Sequence, residues 1–286
     1  MDESGNIRVW QMRVYWSETS LGNSTGVVVG ASAHNRQHLA RMLGYPDTIF
    51  LTREDNGGWV GESLSPAGPL EFCTQTFLAT DQFFRLNPPP AGQANHTLRV
   101  GKREVHLGLK TEPIAGLSWV RWAEAIPKPM TVDFSLDELL GKRATTSDEQ
   151  VNLPAARLYR AIADAKDLES IRLHPGDVLE FCSRHKLRAI CLYCVTAPGS
   201  IRLRVFPVSL DGNEDAATGG AVLGLWPLIA KPTSIAPTPY TWRVDQGSGP
   251  AHRRGTLYLH HEPSTGAIAV GGKVTLITVG TLGDAM

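Results

Sequence analysis

Residues 221–230, with the sequence AVLGLWPLIA, are apolar around the whole circumference of a helix. A helix without a polar face is typical of a domain interior, so we expect this helix to be buried. The preceding Arg204-Val-Phe-Pro207 predicts a strand that ends at the proline, and Asp211-Gly212 predicts a turn. An acidic loop that begins at Glu214 then leads into the helix.

The start of this helix has the features of an anion site. Thr218, Gly219 and Gly220 would present backbone N–H groups with no bulky side chain in the way. Helix N-termini carry partial positive charge and bind carboxylates or phosphates. Asp215 stands beside this position and is a candidate partner for a polar group of the ligand. The alternative is that Gly219 and Gly220 only allow the helix to pack closely against its neighbours, because such glycines produce the same sequence pattern.

Alternation and helical periodicity predict the remaining elements. In the first half, strands are expected at residues 7–15, 25–29 and 48–52, around Glu71, and at residues 97–100, 104–109 and 117–123, with helices at residues 35–44 and opening within residues 70–79. In the second half, helices are expected at residues 135–141 and 153–165, and strands at residues 189–195, 203–208 and 258–261. The closing segments, residues 267–270 and 274–279, predict a hairpin that turns at Gly271-Gly272.

The composition indicates a globular chain without a nucleic-acid or membrane partner. The 286 residues are 42% hydrophobic and 20% charged, and 28 basic residues balance 28 acidic ones. A neutral chain without blocks of like charge has no electrostatic footprint for nucleic acid. No apolar run approaches the ~18 residues of a membrane span, and the acidic, polar start is unlike a signal peptide. We therefore expect a cytoplasmic protein.

The four cysteines predict neither a metal site nor a redox pair. Cys191 and Cys194 have the spacing of half a zinc site, but they lie in the apolar segment AICLYCV, which is typical of a buried strand. No second Cys or His pair has metal-ligand spacing. A nucleotide-binding glycine loop followed by a suitable acid is also missing. We expect no metal and no cofactor.

Motifs spread from about Val9 to Leu282 resemble the PhzF-like isomerase family in type and order. In chain order they are Gly22-Asn23, Asp47-Thr-x-Phe50, Pro66 with Cys73-x-x-x-x-Leu78-Ala79, Arg204-x-Phe-Pro207, Glu214-Asp-x-x-Thr-Gly-x-Ala221, and Gln246-Gly247 with Arg254-Gly255 and the closing glycines of residues 270–280. The resemblance therefore covers nearly the whole chain.

This resemblance implies an α/β (α+β) fold of the diaminopimelate-epimerase type, with two pseudo-symmetric domains that each wrap a sheet around a central helix. The N-terminal domain would comprise residues 1–128 and about 273–286, since the last strand of that fold returns to the first domain. The C-terminal domain would comprise residues 129–272, and the prolines near residue 128 mark the linker. In that fold the N-termini of both central helices point into the active-site cleft. The resemblance also implies a homodimer.

Members of this family isomerise small unsaturated acids without a cofactor, because a carboxylate moves a proton from one carbon to another. The resemblance gives this catalytic role to Asp47, where the family has a glutamate, and keeps Asp215 as the second catalytic acid. Burial raises the pKa of a carboxyl group toward the range that proton transfer at carbon requires. The side chain of Asp47 is one methylene shorter than the glutamate of the family, so the substrate or the loop that carries Asp47 must be placed differently than in the family. Without the resemblance, Pro46-Asp47 is typical of a turn.

Two departures from the family pattern indicate an altered substrate. Gln75 replaces a histidine, and its amide forms hydrogen bonds but cannot carry a proton. Gly220 replaces a serine, which removes a hydroxyl donor. The candidate residues for binding a small-molecule carboxylate are Asn23, Cys73, Thr74, Gln75, Thr218, Gly219 and Gly220.

These departures disfavour the substrate of phenazine pathways. We expect instead a double-bond migration in a pyrroline carboxylate, as in antibiotic pathways that build 4-alkyl-proline units such as that of lincomycin. Two alternatives remain open. One is an epimerase or dehydratase of the same superfamily that uses Cys73 and Thr218, although a two-thiol mechanism is excluded because Thr218 is not a cysteine. The other is a non-catalytic paralogue that binds a small acid.

Overall fold

The chain in the computed structural model divides into two units. Unit 1 comprises Met1–Ser17, Gly22–Ala123 and Ala269–Met286, and unit 2 comprises Glu18–Leu21 and Glu124–Ile268. The structure describes residues 6–55, 57–88, 96–109, 111–122, 124, 126–141, 148–153, 155–230, 240–250 and 253–282. The polar start of the chain, on which the expectation of no signal peptide rests, lies outside the described residues.

Unit 1 is a sheet that packs around one helix. Its elements before the linker are β1 (Ile7–Val14), β2 (Asn23–Val29), α1 (Arg36–Leu43), β3 (Asp47–Arg53), β4 (Trp59–Ser65), β5 (Gly68–Leu70), α2 (Thr74–Leu86), β6 (His96–Val100), β7 (Arg103–Leu107) and β8 (Ser118–Trp122). The helix α2 contacts β1, β2, β3, β7 and β8 and is buried without interruption from Thr74 to Asp81. The helix α1 ends at Gly44, whose φ of 66° gives the left-handed cap that glycine favours.

Unit 2 also contains one fully enclosed helix. Its elements are β9 (Met130–Thr131), α3 (Asp137–Leu140), β10 (Glu149–Asn152), β11 (Ala156–Ala161), α4 (Ala165–Ser170), α5 (Pro175–Arg184), β12 (Ala189–Ala197), β13 (Ser200–Pro207), α6 (Gly219–Ile229), β14 (Thr241–Gln246) and β15 (Gly255–His261). The chain then continues through β16 (Ile268–Gly272) into β17 (Val274–Leu282) of unit 1. All residues of α6 except Pro227 and Ile229 are buried, which confirms the prediction from its apolar sequence.

The two units repeat one pattern of strand pairing. In unit 1 the order is β17-β1-β2-β3-β4-β6-β7, and in unit 2 it is β9-β10-β11-β12-β13-β14-β15. In both orders the successive pairings are antiparallel, antiparallel, parallel, antiparallel, parallel and antiparallel. The helices α2 and α6 occupy equivalent places in the repeat. The fold is therefore the expected pair of pseudo-symmetric halves, and β17 pairs with β1 as the resemblance implied.

The predicted helix over residues 153–165 is wrong, because this segment contains the strand β11. The strand lies between β10 and β12 and is covered on both faces. Leu158 packs into the cluster that contains Phe181 of α5, whereas the neighbouring Tyr159 donates a hydrogen bond to the carbonyl oxygen of Ala221 in α6. A strand buried on both faces loses its alternation, so its apolar positions also fit a helical period.

The predicted turn at Gly271-Gly272 is also wrong, because both glycines lie inside β16 and are buried. A β-carbon on Gly271 would come within 2.5 Å of the Trp119 ring, and one on Gly272 within 2.6 Å of the Tyr15 ring. Only residues without a side chain allow these aromatic rings to approach the strand so closely. The glycines therefore serve packing and not chain reversal.

Cys191 and Cys194 lie in β12, where both are buried with free thiols, as predicted. In the part of the chain that the structure describes, no three His, Cys, Asp or Glu side chains are grouped as metal ligands. Among the helices of the described residues, none combines the length and the apolar character needed to cross a membrane.

Candidate active site

The start of α2 brings the unit 1 candidate residues together. Cys73 caps this helix, and its Sγ donates a hydrogen bond to Asp47 Oδ2 over 3.3 Å. Burial, followed by the negative charge of Asp47, raises the pKa of the Cys73 thiol well above its ordinary value. The next residue, Thr74, accepts a hydrogen bond of 3.0 Å from the hydroxyl of Tyr15. The thiol therefore stays protonated beside Asp47.

The side-chain amide of Gln75 is engaged within unit 1. Its Oε1 accepts a hydrogen bond of 2.8 Å from Asn23 Nδ2. Its Nε2 donates to Thr25 Oγ1 over 2.8 Å and to the carbonyl oxygen of Ser24 over 3.2 Å. These bonds fasten the first turn of α2 to β2. Since an amide has two N–H donors, Gln75 has none left for a ligand.

Replacing Asp47 by asparagine is expected to speed the alkylation of Cys73 by iodoacetamide at about pH 8. The neutral side chain removes the charge that raises the pKa of the thiol, so the pKa falls and more of the reactive thiolate forms. Mass spectrometry of timed samples measures the rate, and the buried Cys191 is the internal control. Equal rates at Cys73 in both proteins would contradict the electrostatic coupling.

The start of α6 holds the unit 2 candidate residues in a second network. Thr218 caps the helix, and its Oγ1 donates a hydrogen bond of 2.5 Å to Asp215 Oδ2. The backbone N–H of Thr218 donates to Gln246 Oε1 over 2.9 Å, so it is not free as the sequence suggested. The Nε2 of Gln246 donates to the carbonyl oxygen of Asp215 over 3.0 Å. Gln246 belongs to the family motifs and here fixes the loop that carries Asp215.

The N–H groups of Gly219 and Gly220 have no acceptor among the described residues. A side chain that the sequence analysis missed lies beside them. A β-carbon built on Gly220 would be 2.8 Å from Nη2 of Arg157. Any side chain at this position, including the serine of the family pattern, would therefore press on the guanidinium. Two sources of positive potential, the helix terminus and the arginine, thus meet at Gly220.

Arg157 carries its charge without a carboxylate partner among the described residues. Its Nη1 donates to the carbonyl oxygens of Leu153 over 2.9 Å and Ala155 over 3.3 Å. Its Nε is buried and has no hydrogen-bond partner among the described residues. A cation at a helix N-terminus opposes the helix dipole, so an anion that binds both groups would relieve an unfavourable arrangement.

The internal repeat explains why this arginine has no counterpart in unit 1. Arg157 pairs with the first residue of β12, as Thr25 pairs with Asp47, the first residue of β3. The second residue of α2 is Gln75, and the second residue of α6 is Gly220. In unit 1 the glutamine amide binds Thr25, whereas in unit 2 the glycine leaves room for the guanidinium. No motif contains Arg157, so only the repeat could have drawn attention to it.

No model of a known protein family matches the sequence, and no curated protein matches it either. Solved structures do match over almost the whole chain. The Bacillus anthracis phenazine biosynthesis protein of the PhzF family superimposes with a TM-score of 0.76 at 15% identity, covering 97% of this chain and 99% of that one. A predicted epimerase from Pseudomonas aeruginosa gives a TM-score of 0.71 at 19% identity, covering 96% and 98%.

More distant structures share the same architecture. A hydroxyproline epimerase from Agrobacterium vitis with bound trans-4-hydroxy-L-proline gives a TM-score of 0.56 at 9% identity, covering 99% of this chain and 94% of that one. Methylitaconate-delta-isomerase gives a TM-score of 0.54 at 9% identity, covering 98% of each chain. The chain therefore has the fold of the PhzF proteins, which epimerases and isomerases of small acids also share.

Proposed function

We propose that this protein is a cofactor-independent isomerase of the PhzF type, which moves a proton and a double bond in a small unsaturated acid. The observation that carries the proposal is the pairing of Asp47 with the thiol of Cys73 at the start of α2. The equivalent helix α6 begins with a comparable pair, Asp215 and Thr218. Each central helix thus begins at an N-cap residue whose side chain donates a hydrogen bond to a carboxylate.

Asp47 supplies the acid and base chemistry in this proposal. Its carboxylate removes a proton from a carbon next to the double bond, and the C–H electron pair becomes part of the new double bond. The electrons of the old double bond take the proton back at its far carbon, which restores the Asp47 carboxylate. The reaction is redox-neutral and needs no co-reactant. The protonated Cys73 stabilises the carboxylate by donating its hydrogen bond.

Unit 2 offers a carboxylate-binding position of its own at the start of α6. The free N–H groups of Gly219 and Gly220 and the guanidinium of Arg157 provide hydrogen-bond donors and positive charge. Charge-assisted hydrogen bonds from arginine to a carboxylate are roughly twice as strong as neutral ones. Arg157 thereby takes over the role of the serine hydroxyl that Gly220 lacks.

The favoured substrate is a pyrroline carboxylate with an unsaturated side chain, from an antibiotic pathway that builds 4-alkyl-proline units. Gln75 has no free donor and Gly220 no hydroxyl, so the candidate residues offer few partners for polar ring substituents. This environment suits an alkyl-substituted ring with one carboxylate. The hydroxyproline epimerase with bound trans-4-hydroxy-L-proline, which shares the fold, supports the choice of a proline-sized ring.

The raised pKa of Cys73 argues against the alternative in which this thiol is the base. A thiolate at this position would lie beside the Asp47 carboxylate and would be penalised by burial and by like charge. An epimerase or dehydratase that starts from the Cys73 thiolate would require the opposite electrostatic arrangement.

Incubation in deuterium oxide with excess chelator tests the proposed activity. Candidate pyrroline and cyclohexadiene carboxylates are followed by their ultraviolet spectra and recovered for mass spectrometry. We expect a spectral shift for the pyrroline acid, with solvent deuterium incorporated at carbon and no need for added metal or nicotinamide. Recovery of every acid without deuterium would instead indicate the non-catalytic binding paralogue.

A further inference from the structure

A charged cavity lies in unit 2. Its volume is about 530 Å³, which is within the range of small-molecule sites. It is lined by residues from the end of α4, from β13, from the loop before α6 and from the β14–β15 connection, and none of them is a candidate active-site residue. The charged residues that line it are Glu169, Arg172, Arg204, Glu214, Arg253 and Arg254.

Both carboxylates of the cavity are already neutralised. Glu214 is held by Arg204, whose Nε and Nη2 lie 2.9 and 2.8 Å from its two oxygens, and it also accepts a hydrogen bond of 2.6 Å from Ser248 Oγ. Glu169 pairs over 2.9 Å with Arg202, which does not line the cavity. Neither acid is therefore available to the remaining arginines.

Three arginines consequently face the cavity with uncompensated charge. In the described part of the chain, Arg172, Arg253 and Arg254 form no ion pair with a carboxylate. Among the described residues, the hydrogen bonds of Arg172 go to the backbone carbonyl oxygens of Glu169 in α4 and of Ile171. The Nε of Arg254 is buried without a described hydrogen-bond partner. Several guanidinium groups that line one cavity, one of them with an orphaned donor, are suited to binding phosphate or several carboxylates.

We infer that this cavity is a binding site for a small organic molecule that carries a multiply charged oxyanion, a phosphate group or a cluster of carboxylates, with Arg254 as its central ligand. The oxyanion supplies the acceptor that Arg254 Nε lacks and neutralises the three arginines. The buried Phe206 and the ion pair of Arg204 with Glu214 also line the cavity. None of the candidate active-site residues lines this cavity, although Glu214 is the neighbour of Asp215 in the chain.

Calorimetric titration with pyrophosphate and with citrate, at constant ionic strength and with chloride as the blank, tests the inference. We expect at least one of the two anions to bind with a Kd below about 1 mM. The two arms distinguish a phosphate ligand from a polycarboxylate. Arg254→Gln is expected to weaken this binding at least about tenfold. Arg184→Gln is the charge-matched control, because Arg184 is exposed in unit 2 and pairs with Glu138 outside the cavity.

Further variants keep the test decisive. A melting curve reports whether Arg254→Gln is folded, and if it is not, the exposed Arg253→Gln replaces it with the same expected direction. Arg157→Gln is expected to leave the binding of these anions unchanged. The inference is overturned if neither anion binds, if Arg184→Gln weakens binding as much as Arg254→Gln, or if only Arg157→Gln abolishes it. The last result would place the anion at the start of α6.

Discussion

Replacing Asp47 by asparagine is expected to lower the rate of double-bond migration by about 10³-fold, because the neutral amide cannot accept a proton from carbon. The protein is expected to stay folded and to bind its substrate, since the hydrogen bonds of Gln75 and Thr74 that fix α2 do not involve this carboxylate. Turnover is measured by the ultraviolet change of the substrate, and binding by calorimetry on the same preparation.

The matched control for this change is Asp55→Asn. Asp55 is an exposed turn residue of unit 1, so the same loss of charge there is expected to leave turnover unchanged. If Asp47→Asn retains turnover within about tenfold of the unchanged protein, Asp47 is not the base of the reaction. Loss of substrate binding together with turnover would instead indicate that Asp47 holds the ligand.

Replacing Gly220 by valine is expected to weaken the binding of carboxylate ligands by at least about 1.4 kcal/mol, a factor of about ten. The first carbon of the new side chain would lie 2.8 Å from Arg157 Nη2, so the guanidinium must move away from the N–H groups of Gly219 and Gly220. Arg157→Gln is expected to weaken binding in the same direction without added bulk, because it removes the charge alone. Calorimetric titration beside a melting curve measures both effects.

Two outcomes separate binding from packing at this position. If Gly220 only lets α6 pack against its sheet, Gly220→Val lowers the melting temperature while the folded protein keeps its affinity for the carboxylate ligand. In that case Arg157→Gln leaves this affinity unchanged as well. Gly280→Val is the control for the substitution itself, since a β-carbon there meets no atom within 4 Å. Its affinity and its melting temperature are expected to stay close to those of the unchanged protein.

The sequence alone determined the elements whose signal is local. The uniformly apolar residues 221–230 predicted a buried helix, and α6 is buried because no face of it favours contact with water. Pro207 and Asp211-Gly212 predicted the end of β13 and the turn after it, since the φ of 52° at Asp211 and of 74° at Gly212 suits residues of that kind. The order of the motifs also indicated the fold that the solved structures share with this chain.

Tertiary contacts decided what local patterns leave ambiguous. Residues 153–165 carry apolar positions that fit a helix, and β11 is a strand because neighbouring strands and helices bury both of its faces. The glycines of β16 resemble a turn in sequence. They lie in a strand instead, where the rings of Trp119 and Tyr15, which are distant along the chain, leave no room for a side chain.

The candidate site shows the same division. Asp47, Cys73, Asp215 and Thr218 could be named from motifs, because their residue types and order are local properties of the sequence. The bond between Asp47 and Cys73 and the engagement of the Gln75 amide depend on strands that only the fold brings together. Arg157 belongs to no motif, and its role arises because Gly220 of a distant helix lies against it. The candidate residues could therefore largely be chosen from the sequence, whereas their hydrogen-bond partners depend on long-range packing, which no local pattern encodes.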